Sequence, residues 1–143
     1  MHAVGEALGT EDVLIHQWFA IAAAIVLCLL VVFQLLLAAG LPLGRAAWRG
    51  KYRVLPSGLR WASLAAAGVL GLAAWVVLAR AEVVAPGPEP IAIRAGTWVF
   101  AGFFFLNALG NVTSHNRVER YVMTLAVLFL GVSFIMVAIS AAG

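Results

Sequence analysis

Four apolar stretches, each long enough to cross a bilayer as a helix, leave this chain few folds to choose from. A helix rises 1.5 Å per residue, so about 20 consecutive apolar residues cross a hydrocarbon layer of about 30 Å. By that measure the spans run over 13–39, 58–79, 91–112 and 118–140. The connections carry helix-stopping residues: Gly40-Leu41-Pro42, Leu55-Pro56-Ser57-Gly58 and the Pro-Gly-Pro-Glu-Pro run over 86–90. Proline lacks the amide hydrogen that a helix interior uses, so these clusters end helices. The expected fold is all-α: a four-transmembrane-helix bundle in a single domain over 1–143, built as two helical hairpins.

Span one is the longest, at about 40 Å, and is expected to project beyond the bilayer where His16 and Gln17 lie. The residues before it include Glu6, Glu11 and Asp12 and no Lys or Arg, unlike a signal peptide, so no cleavage is expected.

Composition narrows the function classes. The chain is 64% hydrophobic and 10% charged, with a mean hydropathy of +1.05. Soluble domains are about half apolar and a quarter charged, and 143 residues cannot hide this excess in one core. Much of the apolar surface is therefore expected to face lipid, which excludes a soluble enzyme, a secreted disulfide scaffold and a nucleic-acid binder. Cys28 is the only cysteine, so neither an intrachain disulfide nor a paired-thiol redox centre can form, and a thiolate zinc site lacks its sulfurs. No metal and no cofactor are expected. A haem held between helices calls for a second axial ligand, and His16, the one histidine near a span, is expected instead to snorkel toward headgroups.

Seven of the nine basic residues lie on one side of this topology: Arg45, Arg49, Lys51, Arg53 and Arg60 around the first connection, and Arg117 and Arg120 around the third. The other side has Arg80 and Arg94 with five of the six acids: Glu6, Glu11, Asp12, Glu82 and Glu89. Basic loops stay in the cytoplasm on insertion, so both termini are expected outside. Trp18 and Trp75 fit the outer interface, and Trp48, Tyr52, Trp61 and Tyr121 the inner one. The seven basic residues are read as contacts to anionic lipid headgroups, and the Arg45 to Arg53 loop, despite Trp48 and Tyr52, as a lipid-facing segment with no nucleic-acid partner.

No Asp, Glu, Lys or Arg lies in the middle of a span, where an ionisable group usually marks a transport path. Neutral polar residues take their place. Gln34, Ser63, Asn107 and Thr124 each sit five or six residues from the basic end of a span, roughly 8–9 Å deep. Asn111, four residues after Asn107, shares its helix face. These five are candidate binding residues. One reading makes them hydrogen bonds that hold helices together; a second makes Gln34, Asn107 and Asn111 the polar lining of a pocket for a lipophilic solute, open to the cytoplasm; a third has one or more of them facing headgroups.

Glu119 is the only acid on the basic side. It lies three residues after Asn116, the spacing of a capping box, and an arginine such as Arg60 is an available ion partner. A catalytic reading pairs it with His115. Residues recurring every four positions, Ala20, Ala24 and Cys28 in span one and Ser63, Ala67 and Gly71 in span two, form small-residue ridges suited to helix packing or self-association.

Two segments, FQLLLAAGLPLGRAAWRGKYRVLPSGLR over 33–60 and GTWVFAGFFFLNALGNVTSHNRVER over 96–120, resemble a family of small four-span bacterial integral membrane proteins frequent in actinobacteria. The resemblance rests on Gly40, Pro42 and Gly44, on Trp48 and Gly50, on Leu55-Pro56, and on Asn111, Ser114 and Glu119-Arg120. It departs at Leu43, where an aromatic is common, and at Arg49, where glycine is common. It implies an architecture and no chemistry; the expected location is the cytoplasmic membrane of a bacterium.

Three functions follow as expectations. The first is a non-catalytic component that forms homo-oligomers or accompanies a membrane protein complex, with lipids as its other partners. The second is a small carrier or channel for a neutral or lipophilic solute, using Gln34, Asn107 and Asn111. The third is an inner-leaflet lipid-modifying enzyme acting through Glu119 and His115.

Overall fold

The computed structural model describes residues 2–140, with side chains described for residue 11 and from residue 13 onward. Glu6 and Asp12, counted above among the acids, lie outside the described side chains. Four long helices make up the fold: α1 (His2–Ala38), α2 (Ser57–Arg80), α3 (Ile91–Val112) and α4 (Thr124–Ser140). No strand occurs among the described residues. A π-helical turn, Val118–Met123, runs directly into α4. The segments long and apolar enough to cross a membrane are Val13–Ala38, Ser57–Arg80, Ile91–Val112 and Val118–Ser140, within one residue of the apolar stretches in the sequence.

The helices alternate in direction. α1 packs on α2, α3 packs on α4, and the α1–α4 contact joins the two hairpins into a bundle. We call the end with the first and third connections the basic end and the opposite end the acidic end. The core is filled by Ala20, Ala23 and Leu27 of α1, Ala73 and Val77 of α2, Phe104 of α3, and Leu130, Phe134 and Val137 of α4. Alanine on α1 and α2 lets those two backbones approach closely, and the large rings on α3 and α4 fill the remaining width. Phe104 and Phe134 meet at 5.3 Å between ring centroids. Leu29, Val99, Leu106, Leu109 and Leu125 point outward and are exposed, as a lipid-facing surface requires.

The small-residue ridges are buried at four of their six positions. Ala20, Ala24, Ser63 and Ala67 lie in the seam, whereas Cys28 and Gly71 are exposed. Four residues turn a helix by 400°, so a strict four-residue repeat rotates off a straight seam by about 40° per step. Leu27 and Ala74 take the places the ridges vacate.

Contact between α2 and α3 is uneven along their length. Near the acidic end Val76 and Ala79 cluster with Ile93, and a Cβ added at Gly96 would meet Val76 at 3.5 Å. Toward the basic end Gly68 and Gly102 face open space, and Val69 and Phe103 are exposed. The two helices therefore diverge, leaving a cleft at the basic end.

Candidate functional site

The first connection is tied down before it reaches the cleft. α1 ends in a Schellman turn: Gly40 N–H donates to Leu37 O at 3.0 Å and Leu41 N–H to Leu36 O at 3.1 Å, with Gly40 at φ +90°. Arg60 Nε donates to Ala38 O at 2.7 Å, placing a cation at the carbonyl end of that helix. Gly44 N–H donates to Arg53 O at 3.0 Å, and a Cβ at Gly44 would lie 2.7 Å from Tyr52 O, so only glycine permits this approach. Leu37, Ala47 and Leu55 form a small apolar cluster that seats the loop on the end of the bundle.

Three consecutive residues then adopt left-handed backbone angles: Trp48 at φ 51°, Arg49 at φ 61° and Gly50 at φ 69°. For the two non-glycine residues this costs about 1–2 kcal/mol each, and specific contacts offset it. Trp48 Nε1 donates to Ser63 Oγ on α2 at 3.1 Å. Arg49 N–H donates to Glu119 Oε1 at 2.8 Å, across 70 residues of chain. The other carboxylate oxygen, Oε2, accepts from Ser114 Oγ at 2.5 Å. Asn116 Nδ2 donates to Arg45 O at 2.8 Å, and Asn116 N–H to Ser114 Oγ at 3.1 Å. The two basic loops are thus interlocked around one buried carboxylate. Gly44, Trp48, Gly50, Ser114 and Glu119 all lie in this knot.

Several expectations change here. Asn116 does cap the fourth span, its Oδ1 accepting from Val118 N–H at 3.1 Å, but Glu119 does not complete a capping box. Its two oxygens are held by Arg49 N–H and Ser114 Oγ, and no arginine side chain forms an ion pair with it among the described residues. Asn116 N–H, the donor that a capping box offers to the glutamate, is taken by Ser114 Oγ instead. Five residues turn an α-helix about 140° off face, but a π turn returns Glu119 and Thr124 to the same side, where Thr124 Oγ1 donates to Glu119 O at 3.2 Å. His115 is exposed and no hydrogen bond joins it to Glu119. Arg120 Nε donates to Ser114 O at 3.0 Å, a loop-closing bond. All seven basic residues read as headgroup contacts, Arg45, Arg49, Lys51, Arg53, Arg60, Arg117 and Arg120, are exposed.

The polar layer at one depth splits in two. Gln34, Asn107 and Asn111 line a common cavity of about 420 Å³, whereas Ser63 and Thr124 are buried in the packing and bonded to Trp48 and Glu119 O. Counting residues fixes depth along a helix but leaves the angle around its axis open. The cavity occupies the α2–α3 cleft. Leu30 and Phe33 form its back, Val69 and Phe103 flank it, and Trp48, Arg49 and Glu119 close its basic end. Gln34 Oε1 is buried without a hydrogen-bond partner, and Asn107 Nδ2 folds back to Phe103 O at 2.8 Å.

A second constellation at the acidic end has no counterpart in the sequence reading. Arg80, at the end of α2, is buried and pairs with Glu89 through Nη1 and Oε2 at 2.5 Å. Its Nη2 donates to Ala138 O near the end of α4 at 3.1 Å. His16, expected to snorkel, is buried beside this pair, and Gln17 Nε2 donates to Ala81 O at 3.4 Å. The available signal was a lone arginine closing a span, followed by a glutamate in a proline-rich connection. No group of three or more potential metal ligands occurs among the described residues.

The cavity has a mostly apolar lining and three amides, suited to an apolar molecule with a polar group. Comparisons with protein-family models, with curated proteins and with solved structures each find no match to this chain.

Proposed function

We propose that this chain is a non-catalytic, multi-pass component of a bacterial cytoplasmic membrane, with both termini outside, that holds a lipophilic solute in the α2–α3 cleft. The observation that carries the reading is the unpartnered, buried Gln34 Oε1 in the cavity wall. A buried polar atom left unpaired costs about 1–3 kcal/mol, so a ligand offering a donor there gains affinity. The cleft opens sideways between helices with apolar outer faces, which suits entry from the bilayer and not from water. The orientation is supported by seven basic residues gathered at one end of the bundle, on or beside two connections that touch each other.

The geometry gives less support to a lipid-modifying enzyme. Both Glu119 oxygens already accept hydrogen bonds, and Ser114 is 1% exposed, so neither presents a free reactive atom to the cavity. Native mass spectrometry of the protein released from mild detergent tests the binding reading. Wild type is expected to carry a stoichiometric lipophilic adduct, which Gln34→Leu and Asn107→Leu reduce about tenfold, one lost hydrogen bond's worth, without lowering Tm by more than a few degrees. An adduct-free wild type, or an adduct indifferent to both variants, contradicts it.

A further inference from the structure

At the acidic end a second cavity of about 420 Å³ is lined by His16, Gln17, Trp75, Arg80, Glu82 and Glu89. Two residues of its lining, Arg80 and Glu89, each carry an unmet hydrogen-bonding demand, of opposite kind. Arg80 is 5% exposed, yet its Nε–H has no partner, although both terminal nitrogens are engaged, by Glu89 and by Ala138 O. Glu89 Oε2 takes Arg80 and lies 3.7 Å from Arg94 Nε, leaving Oε1 buried and unpaired. An ion pair drawn out of water is stable only when its remaining donors and acceptors are met. The missing partners are an acceptor for Arg80 Nε–H and a donor for Glu89 Oε1.

Charge selects among ligands that supply both. The lining carries the Arg80 guanidinium and the Glu82 and Glu89 carboxylates, and Arg94 beside Glu89 balances the charge, so a ligand that carries both signs is matched better than a bare anion or a bare cation. The cation must donate hydrogen bonds, which a primary ammonium does and a quaternary one does not. Position points to a membrane headgroup: the cavity lies where the apolar spans end, between Val13 of α1, Pro90 before α3 and Ser140 of α4. Trp75 on its rim and nearby Trp18 are exposed, as interfacial tryptophans are.

We propose that this cavity binds a zwitterionic headgroup combining a primary ammonium with an anionic phosphate, as in an ethanolamine phospholipid. The phosphate accepts from Arg80 Nε and the ammonium donates to Glu89 Oε1. This site is separate from the α2–α3 cleft, and neither requires the other.

The test titrates full-length protein in detergent with phospholipids of identical acyl chains and reads bound lipid by native mass spectrometry. Phosphatidylethanolamine is expected to bind about tenfold tighter than phosphatidylcholine or phosphatidylglycerol, the value of one charge-assisted hydrogen bond. The mono- and dimethylated headgroups should fall between, and this series needs no altered protein. Glu89→Gln is expected to bring the preference below about threefold. Equal retention of all headgroups overturns the proposal, since water or acyl-chain packing then fills the site, and a preference for phosphatidylglycerol overturns it in favour of an anion site. Competition by soluble phosphoethanolamine as strong as by the lipid supports the headgroup chemistry and overturns the lipid assignment.

Discussion

Glu119 holds the two basic loops together, and its role separates a structural carboxylate from a reactive one. Glu119→Ala leaves the buried Ser114 hydroxyl and the partly buried Arg49 N–H without their acceptor and is expected to cost about 2–3 kcal/mol. Glu119→Gln keeps a carbonyl for Arg49 N–H, and the Ser114 hydroxyl accepts as readily as it donates, so the loss should be about 1 kcal/mol. Thermal melting in detergent distinguishes the pair; equal losses contradict this account. Arg49 contributes only its backbone N–H to the knot and holds a left-handed angle of φ 61°. Arg49→Gly is therefore expected to raise stability by about 0.5–1 kcal/mol, read in the same melt. The residue types of this knot are plain in the sequence. The partnership is not, because a backbone amide 70 positions away leaves no mark on residue choice at Glu119.

Helices and turns were the most legible level, because 20 apolar residues between prolines admit little besides a spanning helix. The difficulty lay in rotation about each axis. Ser63 and Gln34 share a depth yet face different neighbours, and the π turn at Val118–Met123 brings Thr124 over Glu119 O, a pairing that α-helical counting does not register. The first connection makes the sharpest prediction for an element. In Gly44→Ala the added Cβ meets a rigid carbonyl, Tyr52 O, at 2.7 Å, so the loop must shift. An expected loss of about 2 kcal/mol, with faster proteolysis confined to 41–56, identifies the loop as the element that yields. A Gly58→Ala control, whose Cβ meets nothing within 4 Å, should leave proteolysis of the loop unchanged.

Across the whole molecule the two ends differ in construction. The acidic end is drawn tight by Arg80, whose guanidinium joins the ends of α2 and α4 to Glu89 before α3. The basic end is joined by its loops, which lets α2 and α3 part below them and leaves a chamber open to the side. Alternating directions and the pairing of hairpins followed from the short connections. The divergence of α2 from α3 did not, since it depends on how alanine, glycine and phenylalanine volumes add up across four helices. Disulfide trapping in a Cys28→Ala background measures that divergence directly. The pair Val76→Cys with Gly96→Cys is expected to cross-link readily, and the pair Val69→Cys with Phe103→Cys, on opposite walls of the cleft, is expected to stay reduced under the same oxidant. Equal cross-linking of both pairs means that α2 and α3 are packed along their whole length, and the chamber on which the functional reading depends does not exist.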